Sequence, residues 1–387
     1  YPRRPPHRIP PPPPAEVVAV QVGLTVTLRC NLACDYCYVP QRADRMTPET
    51  AAKAATLPMA DGRFALWGGE PLVDAPHLRS IVSAVRGAYR GVGPLRFALT
   101  TNGTMVDEES AAWCAQEMAT VGVSIDGGDA AHDRHRRTAS GAPSAETAWR
   151  GLRMLLAADA DVVVNQTLNP DTVDDLAAGV ERLVEAGVRR ISHGMNMRVQ
   201  WPEPALELLR AQYMVLGERY ATWLERDGVI IAPFDDAIRS HIEGGTERRG
   251  IGCAGNDSVL VLPDGRLAPC DAFIGAVDPD AWVIGDVDRG AVRVPAVLEQ
   301  ATRREGGGCG ACALRARCMR SCHCRNLLGT GDPSRVPAAW CAYTAMTTEV
   351  ADRVAGELYA AGSAPFMERF YGPSPSPYSS FESSPSI

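Results

Sequence analysis

Residues 17–37 read VVAVQVGLTVTLRCNLACDYC. The first twelve are rich in β-branched and apolar side chains and predict a strand over 17–28. That strand runs directly into three cysteines, Cys30, Cys34 and Cys37, spaced C-x3-C-x2-C. Outward from this point, strand-like and helix-like segments alternate. A helix is expected over 48–56, a strand over 63–66, and a helix over 77–89 with Leu78, Ile81, Val82 and Val85 on one face. Strands follow over 95–100, 119–125, 162–168 and 189–193, interleaved with helices over 107–118, 145–158, 172–186 and 204–226. Six β–α units in succession require a parallel sheet with helices outside it. Six is two short of a full eight-fold barrel, so the expected fold is α/β, an open partial (β/α)6 barrel of the TIM type.

From residue 234 the pattern changes. Glycine and cysteine become frequent, strands shorten, and 260–270 (LVLPDGRLAPC) reads as a hairpin turning at Asp264-Gly265. The expected organisation is a proline-rich extended tail over 1–15, the barrel over 16–233, a smaller cysteine-rich domain over 234–361 built around metal and closed by a helix near 342–361, and a Ser/Pro-rich mobile tail over 362–387.

The 387 residues carry 46 acidic and 39 basic side chains, a net charge of −7 that offers no electrostatic footprint for nucleic acid. No apolar run reaches the length of a bilayer crossing, and no charged-then-apolar export signal is visible. Twelve cysteines are unusual, and their bunching is informative: three lie within eight residues, and Cys309, Cys312, Cys318, Cys322 and Cys324 lie within sixteen. Such bunching in a large chain favours metal ligation over disulfides, and a reducing cytoplasm is the expected location. Cys114 stands apart on a helix and reads as a buried, inert thiol.

Cys30, Cys34 and Cys37 fall just after the first strand, at the mouth where barrels of this type place their chemistry. Three thiolates can hold three irons of a cubane and leave the fourth iron open, whereas zinc would want a fourth ligand close by. With Tyr36 before the last cysteine, the motif resembles the radical S-adenosylmethionine (SAM) superfamily. Further motifs follow in order over 17–230: WGGEP (67–71), TTNGT (100–104), VSIDG (123–127) and HDRHR (132–136). The resemblance implies a [4Fe–4S] cluster that binds SAM and yields a 5′-deoxyadenosyl radical. It implies SAM contacts from Tyr36, Gly68, Gly69, Glu70, Thr101, Asn102, Ser124, Asp126 and Arg136. In that alignment Glu70 meets the SAM ammonium and Arg136, or its neighbour Arg137, meets the carboxylate. His132 and His135 read as surface histidines without a catalytic role.

The remaining cysteines, C253-x16-C270, C309-x2-C312-x5-C318-x3-C322 and Cys341, resemble the SPASM extension and its two auxiliary [4Fe–4S] clusters. The resemblance assigns Cys309, Cys312, Cys318 and Cys341 to an outer cluster and Cys253, Cys270 and Cys322 to an inner one. No cysteine lies between Cys253 and Cys270, so the inner cluster either keeps an open iron, the favoured reading, or takes Cys324 as its fourth ligand. In relatives that oxidise a protein side chain, an acid at the position of Asp271 is proposed as a base.

SPASM domains accompany peptide maturation, so the resemblance implies an oxidoreductase that abstracts hydrogen from a peptide, maturing a ribosomally made product by crosslink or thioether formation. Sulfatase-maturase-like formation of formylglycine is the second reading and small-molecule dehydrogenation the third. The expected partners are a peptide or protein substrate and a reductant such as a flavodoxin or ferredoxin, with no nucleic acid and no membrane. Only a short proline-rich stretch precedes the first strand, so peptide recognition is expected from the barrel or a partner protein.

Overall fold

The computed structural model describes residues 19–57, 59–91, 93–243, 258–275, 279–291, 309–319 and 322–372. The expected strands and helices occur close to their predicted places: β1 Ala19–Thr27, α1 Pro48–Ala54, β2 Met59–Gly68, α2 Ala75–Ala88, β3 Arg96–Thr101, α3 Glu108–Glu117, β4 Thr120–Ser124, α4 Asp129–His135, α5 Ala145–Ala157, β5 Val162–Leu168, α6 Leu176–Glu185, β6 Arg190–Met195 and α7 Glu203–Asp227. Local chemistry sets the ends. Asp74 caps α2 by accepting from His77 N at 3.1 Å, Asp107 and Ser110 form a capping box on α3, and α7 stops at Gly228 with φ +66°.

Strands β1 to β6 pair in parallel, each with the next. Their helix-facing side chains, including Leu24, Val26, Leu66, Leu99, Val123 and Val164, are fully buried in one continuous core with Leu78, Ile81, Leu152 and Val180 of the helices. β4 and β5 are buried along almost their whole length, as strands covered on both faces are. β2 starts earlier than expected, and α4 was not anticipated because its seven residues, DAAHDRH, carry almost no apolar stripe.

The cysteine-rich part is less separate than the sequence suggests. After α7 come β7 Ile230–Ile231, which pairs with β6, and α8 Ala232–Ile242. The expected hairpin is present as β8 Ser258–Val261 and β9 Arg266–Ala268, but β8 lies parallel to β1, Gln21 opposite Ser258 through Leu24 opposite Val261. With β10 Gly285–Asp286 and β11 Gly290–Ala291, the described strands make one open sheet in the order β11-β10-β9-β8-β1-β2-β3-β4-β5-β6-β7.

Following α9 His323–Thr330, α10 Ala338–Ala360 packs along α7 and α8, placing Met346, Val350, Val354 and Leu358 in the main core. Gly217 permits this approach: a Cβ there would lie 2.4 Å from Val350 Cγ1. The stretch expected to be a mobile tail includes a last helix, α11 Ala364–Tyr371, which buries Phe366 and Phe370. The tail expectations for 1–15 and 373–387 fall outside the described residues. No described helix is long and apolar enough to cross a membrane.

Phe366 is 1 % exposed. Phe366→Ala is expected to lower unfolding stability by about 3–5 kcal/mol, read as a reduced urea midpoint. An unchanged midpoint would mean that α11 is an appendage.

Candidate active site

The cysteine loop after β1 folds back over the strand ends. Leu28 N donates to Asp44 O at 2.8 Å, Met46 N to Val26 O at 2.9 Å, and Gln41 Nε2 to Leu32 O at 2.5 Å. Inside it, Cys37 N donates to Cys34 O at 3.1 Å and Leu32 N to Cys30 Sγ at 3.4 Å. Burial pushes the Cys30 thiol up to about 12 and the Cys34 thiol up to about 11, and the neighbouring thiols add to the rise. Burial thus disfavours free thiolates here, a cost that a bound cation would offset.

The GGEP segment ends β2 directly under this loop. Gly69 N donates to Thr27 O and Glu70 N to Arg29 O, both at 2.8 Å. A Cβ on Gly68 would stand 2.1 Å from Thr27 O, and one on Gly69 2.2 Å from Arg29 O. Both glycines are therefore needed for the cysteine loop's own backbone, a reason distinct from the expected approach of SAM. Glu70 is fully buried. Its Oε1 accepts from Leu72 N at 2.9 Å and Thr101 Oγ1 at 2.8 Å, and its Oε2 from Asn102 N at 2.6 Å. Burial raises its pKa against these bonds. Asn102 Nδ2 donates to Asn31 Oδ1 at 2.9 Å and lies 3.8 Å from Cys30 Sγ; Asn31 Nδ2 donates to Thr104 Oγ1 at 2.7 Å. Glu70, Thr101 and Asn102 thus tie β2 and β3 to the first cysteine.

Asp126, just past β4, gathers the opposite side. It accepts from Arg136 Nε at 2.8 Å and Nη2 at 3.2 Å, from Thr167 N at 2.8 Å, and from the Tyr36 hydroxyl. Burial works against its charge, but the Arg136 guanidinium holds the carboxyl below the usual range. Arg136 also lies 5.3 Å over the Tyr36 ring. The guanidinium fork expected to meet SAM is turned onto Asp126, while Arg137 is exposed and donates to Gly141 O. Ser124 sits at the end of β4 beside Asn165 of β5, partly exposed.

His132 corrects the surface reading. It is completely buried; its Nδ1 accepts from Asp126 N at 3.3 Å, its Nε2–H donates to Ser144 Oγ at 3.1 Å, and Ser144 Oγ donates to Arg136 O at 2.7 Å. This chain orients both members of the Asp126–Arg136 pair. Burial, reinforced by Arg136, pushes the imidazole down to about 4. His135 bridges Asp35 of the cysteine loop and Asp171, each at 2.9 Å. The sequence offered one signal for these roles, the clustering of HDRHR directly behind VSIDG.

The C-terminal cysteines form two groups. Burial raises the Cys341 thiol, and Cys318, Cys309 and Cys312 lie near enough to add to the rise. Cys270, Cys322 and Cys324 form the second group, while Cys253 lies outside the described residues. Cys114 is buried in α3, its thiol pushed up to about 12 by burial. Among the described residues, no three Cys, His, Asp or Glu side chains surround a point as one metal ion requires. Grouped all-thiol donors fit iron–sulfur clusters, which take one thiolate per iron. Asp271 links this region to the barrel. Its Oδ2 accepts from the Tyr38 hydroxyl at 2.5 Å, and its Oδ1 from Cys270 Sγ and Ala272 N, both at 3.0 Å. The sequence reading did not single out Tyr38, which follows Cys37 directly and is only partly buried.

Residues 24–178 match the radical SAM superfamily. A serine-type anaerobic sulfatase-maturating enzyme of Klebsiella aerogenes is 26 % identical over 76 % of each chain. A GTP 3′,8-cyclase of Mycobacterium sp. (strain KMS) is 32 % identical over 65 % of this chain and 75 % of its own. Among solved structures, anSMEcpe with bound AdoMet superposes with a TM-score of 0.74 at 18 % identity, over 88 % of this chain and 99 % of that one. Streptococcus suis SuiB bound to S-adenosylmethionine gives 0.57 at 15 % identity, over 84 % and 77 %. The fold matches these structures, and the chain belongs to the radical SAM superfamily. Membership implies a [4Fe–4S] cluster and SAM, with Cys30, Cys34 and Cys37 as the thiols at the position of the family's cluster motif.

Gly69→Ala is expected to displace the cysteine loop and lower the iron content by about 4 per chain after anaerobic reconstitution, whereas Gly87→Ala, with open space at its Cβ, leaves iron unchanged. His132 is neutral when folded but protonates below about pH 6.5 when unfolded. Its stabilisation is therefore full above pH 6.5 and lost as pH falls towards 4, on the order of 3 kcal/mol. In urea titrations across this range, His132→Gln should flatten the acid-side loss, leaving a remainder from His193, also pushed down by burial, to about 3.

Proposed function

We propose that the chain oxidises a peptide or protein substrate by removing a hydrogen atom in the barrel mouth and passing the remaining electron to the cysteine-rich region. One observation carries this reading. Tyr38, next to the last cysteine of the barrel loop, hydrogen-bonds Asp271, whose carboxylate also touches the Cys270 sulfur. A proton acceptor and an electron-accepting site thus adjoin the place where the substrate radical would form.

When bound, the cluster and SAM supply a 5′-deoxyadenosyl radical as hydrogen-atom acceptor. The chain's own residues do the rest. Cys30, Cys34 and Cys37 would hold the cluster; Tyr36, Gly68, Gly69, Glu70, Thr101, Asn102, Ser124, Asp126 and Arg136 form the walls proposed for SAM. Cys309, Cys312, Cys318 and Cys341 would hold the outer auxiliary cluster, and Cys270 and Cys322 would serve the inner one. Asp271 would take the proton lost as the substrate is oxidised, with Tyr38 fixing its orientation. A cavity between the barrel loop and the hairpin, lined in part by Arg42, Arg45, Leu262, Phe273 and Trp282, offers mixed polar and apolar walls of the kind a peptide uses.

Support comes from neighbours whose structures hold peptides: anSMEcpe with the Cp18Cys peptide and SuiB with its precursor peptide SuiA. Between them, we favour maturation of a ribosomally made peptide, with a sulfatase-type substrate second. The GTP 3′,8-cyclase relatives keep a small-molecule substrate as a third reading. A flavodoxin- or ferredoxin-type donor in a reducing cytoplasm is the proposed electron source.

The test incubates reconstituted, reduced protein and SAM with peptides encoded beside its gene, with sulfatase-derived peptides, and with GTP. The expected result is 5′-deoxyadenosine formation matched by a peptide product with changed mass. Asp271→Asn should lower product formation about 10²–10⁴-fold while 5′-deoxyadenosine continues to appear. Turnover of GTP alone would overturn the peptide reading.

A further inference from the structure

We infer that Cys324 is a thiolate ligand of the inner auxiliary cluster, alongside Cys270 and Cys322, in the position that the cysteine spacing leaves without a donor. This rests on the proposal that the C-terminal cysteines hold iron–sulfur clusters.

The geometry is specific to this chain. Cys322 is the N-cap residue of α9 and Cys324 the second residue of the helix, and the non-helical backbone of Cys322 lets the two thiols meet. Cys324 Sγ lies 3.4 Å from Cys322 Sγ and 3.6 Å from Cys270 Sγ, too far for a disulfide and in contact with both. The sulfurs sit closer together than the corners of a cubane, so loading requires them to swing apart about their χ1 bonds. All three belong to one apolar pocket with Ala272, Phe273 and Trp282, the two rings stacked at 4.0 Å. Among the described residues, Cys114 has no thiol neighbour of this kind, whereas Cys324 has two.

A second observation points to negative charge in this place. Arg325, the next residue, is 5 % exposed and stacks 3.4 Å over Trp340. Among the described residues no carboxylate pairs with it, and its Nη1 has no hydrogen-bond partner. Its guanidinium lies near Cys318 and Cys322. A guanidinium buried without a carboxylate is costly unless another anion offsets it, and thiolates bound to a cluster are such anions. With Cys324 in place, substrate does not bind iron at the inner site, and that site acts in electron transfer alone.

The test starts from the Cys30/Cys34/Cys37→Ala protein, reconstituted anaerobically, so that only C-terminal sites contribute; about 8 irons per chain are expected. Cys324→Ala in this background should either lose about 4 irons or keep them with one iron newly open to cyanide, seen as a changed EPR signal of the reduced protein. Cys324→Ser should keep iron with shifted g values, and Cys114→Ala should match the parent. If Cys324→Ala keeps all its iron, the parent spectrum and no response to cyanide, Cys324 is not a ligand. It is equally excluded if Cys324→Ala loses all iron while Cys324→Ser is indistinguishable from the parent. Absence of iron from the parent itself would instead overturn the cluster reading of the whole region, and this inference with it.

Discussion

The site depends on a buried carboxylate shared by three separate segments. Asp126 joins the cysteine loop through Tyr36, the end of α4 through Arg136, and β5 through the Thr167 amide. Its side chain is 2 % exposed and that of Arg136 10 %, so neither charge is tolerable without the other. Removing either would leave an uncompensated ion at the mouth of the sheet. The pair's geometry is held from behind by His132 and Ser144, which keep the backbone on both sides in register. One side of the cysteine loop is held in place by this arrangement.

The opposite side of the loop is held by approach distance. Thr27 and Arg29 press on Gly68 and Gly69, and Glu70 spends its carboxylate on β3. Together the two anchors leave the loop little freedom of its own. The remaining contact, Tyr38 to Asp271, carries that order across to the C-terminal cysteines, as does the parallel pairing of β8 with β1. Two regions that look independent along the chain therefore share one sheet and one seam, as transfer of an electron between them would require.

Much of the barrel was legible because its signals are local. Apolar runs with period-2 or helical spacing, Asp and Ser caps, and the cysteine loop are all short-range patterns. What escaped the sequence reading lacked such a pattern. Helix α4 has no apolar stripe and exists because His132 and Ala131 are buried against the site. Helix α11 was hidden by the Ser/Pro-rich stretch beyond it, although Phe366 and Phe370 stand four apart on one face.

The sequence by itself determined the class of chemistry, because thiol spacing after a first strand and the ordered GGEP, TNG and SIDG motifs are properties of contiguous residues. It could not determine pairings between distant ones. That Arg136 turns onto Asp126, that His132 is buried and neutral, that Tyr38 reaches Asp271 across 233 positions, and that Cys324 meets Cys270 across 54 were decided by the tertiary structure alone. The physical reason is that buried polar groups must find partners wherever folding brings them, and separation along the chain carries no record of which partner that is.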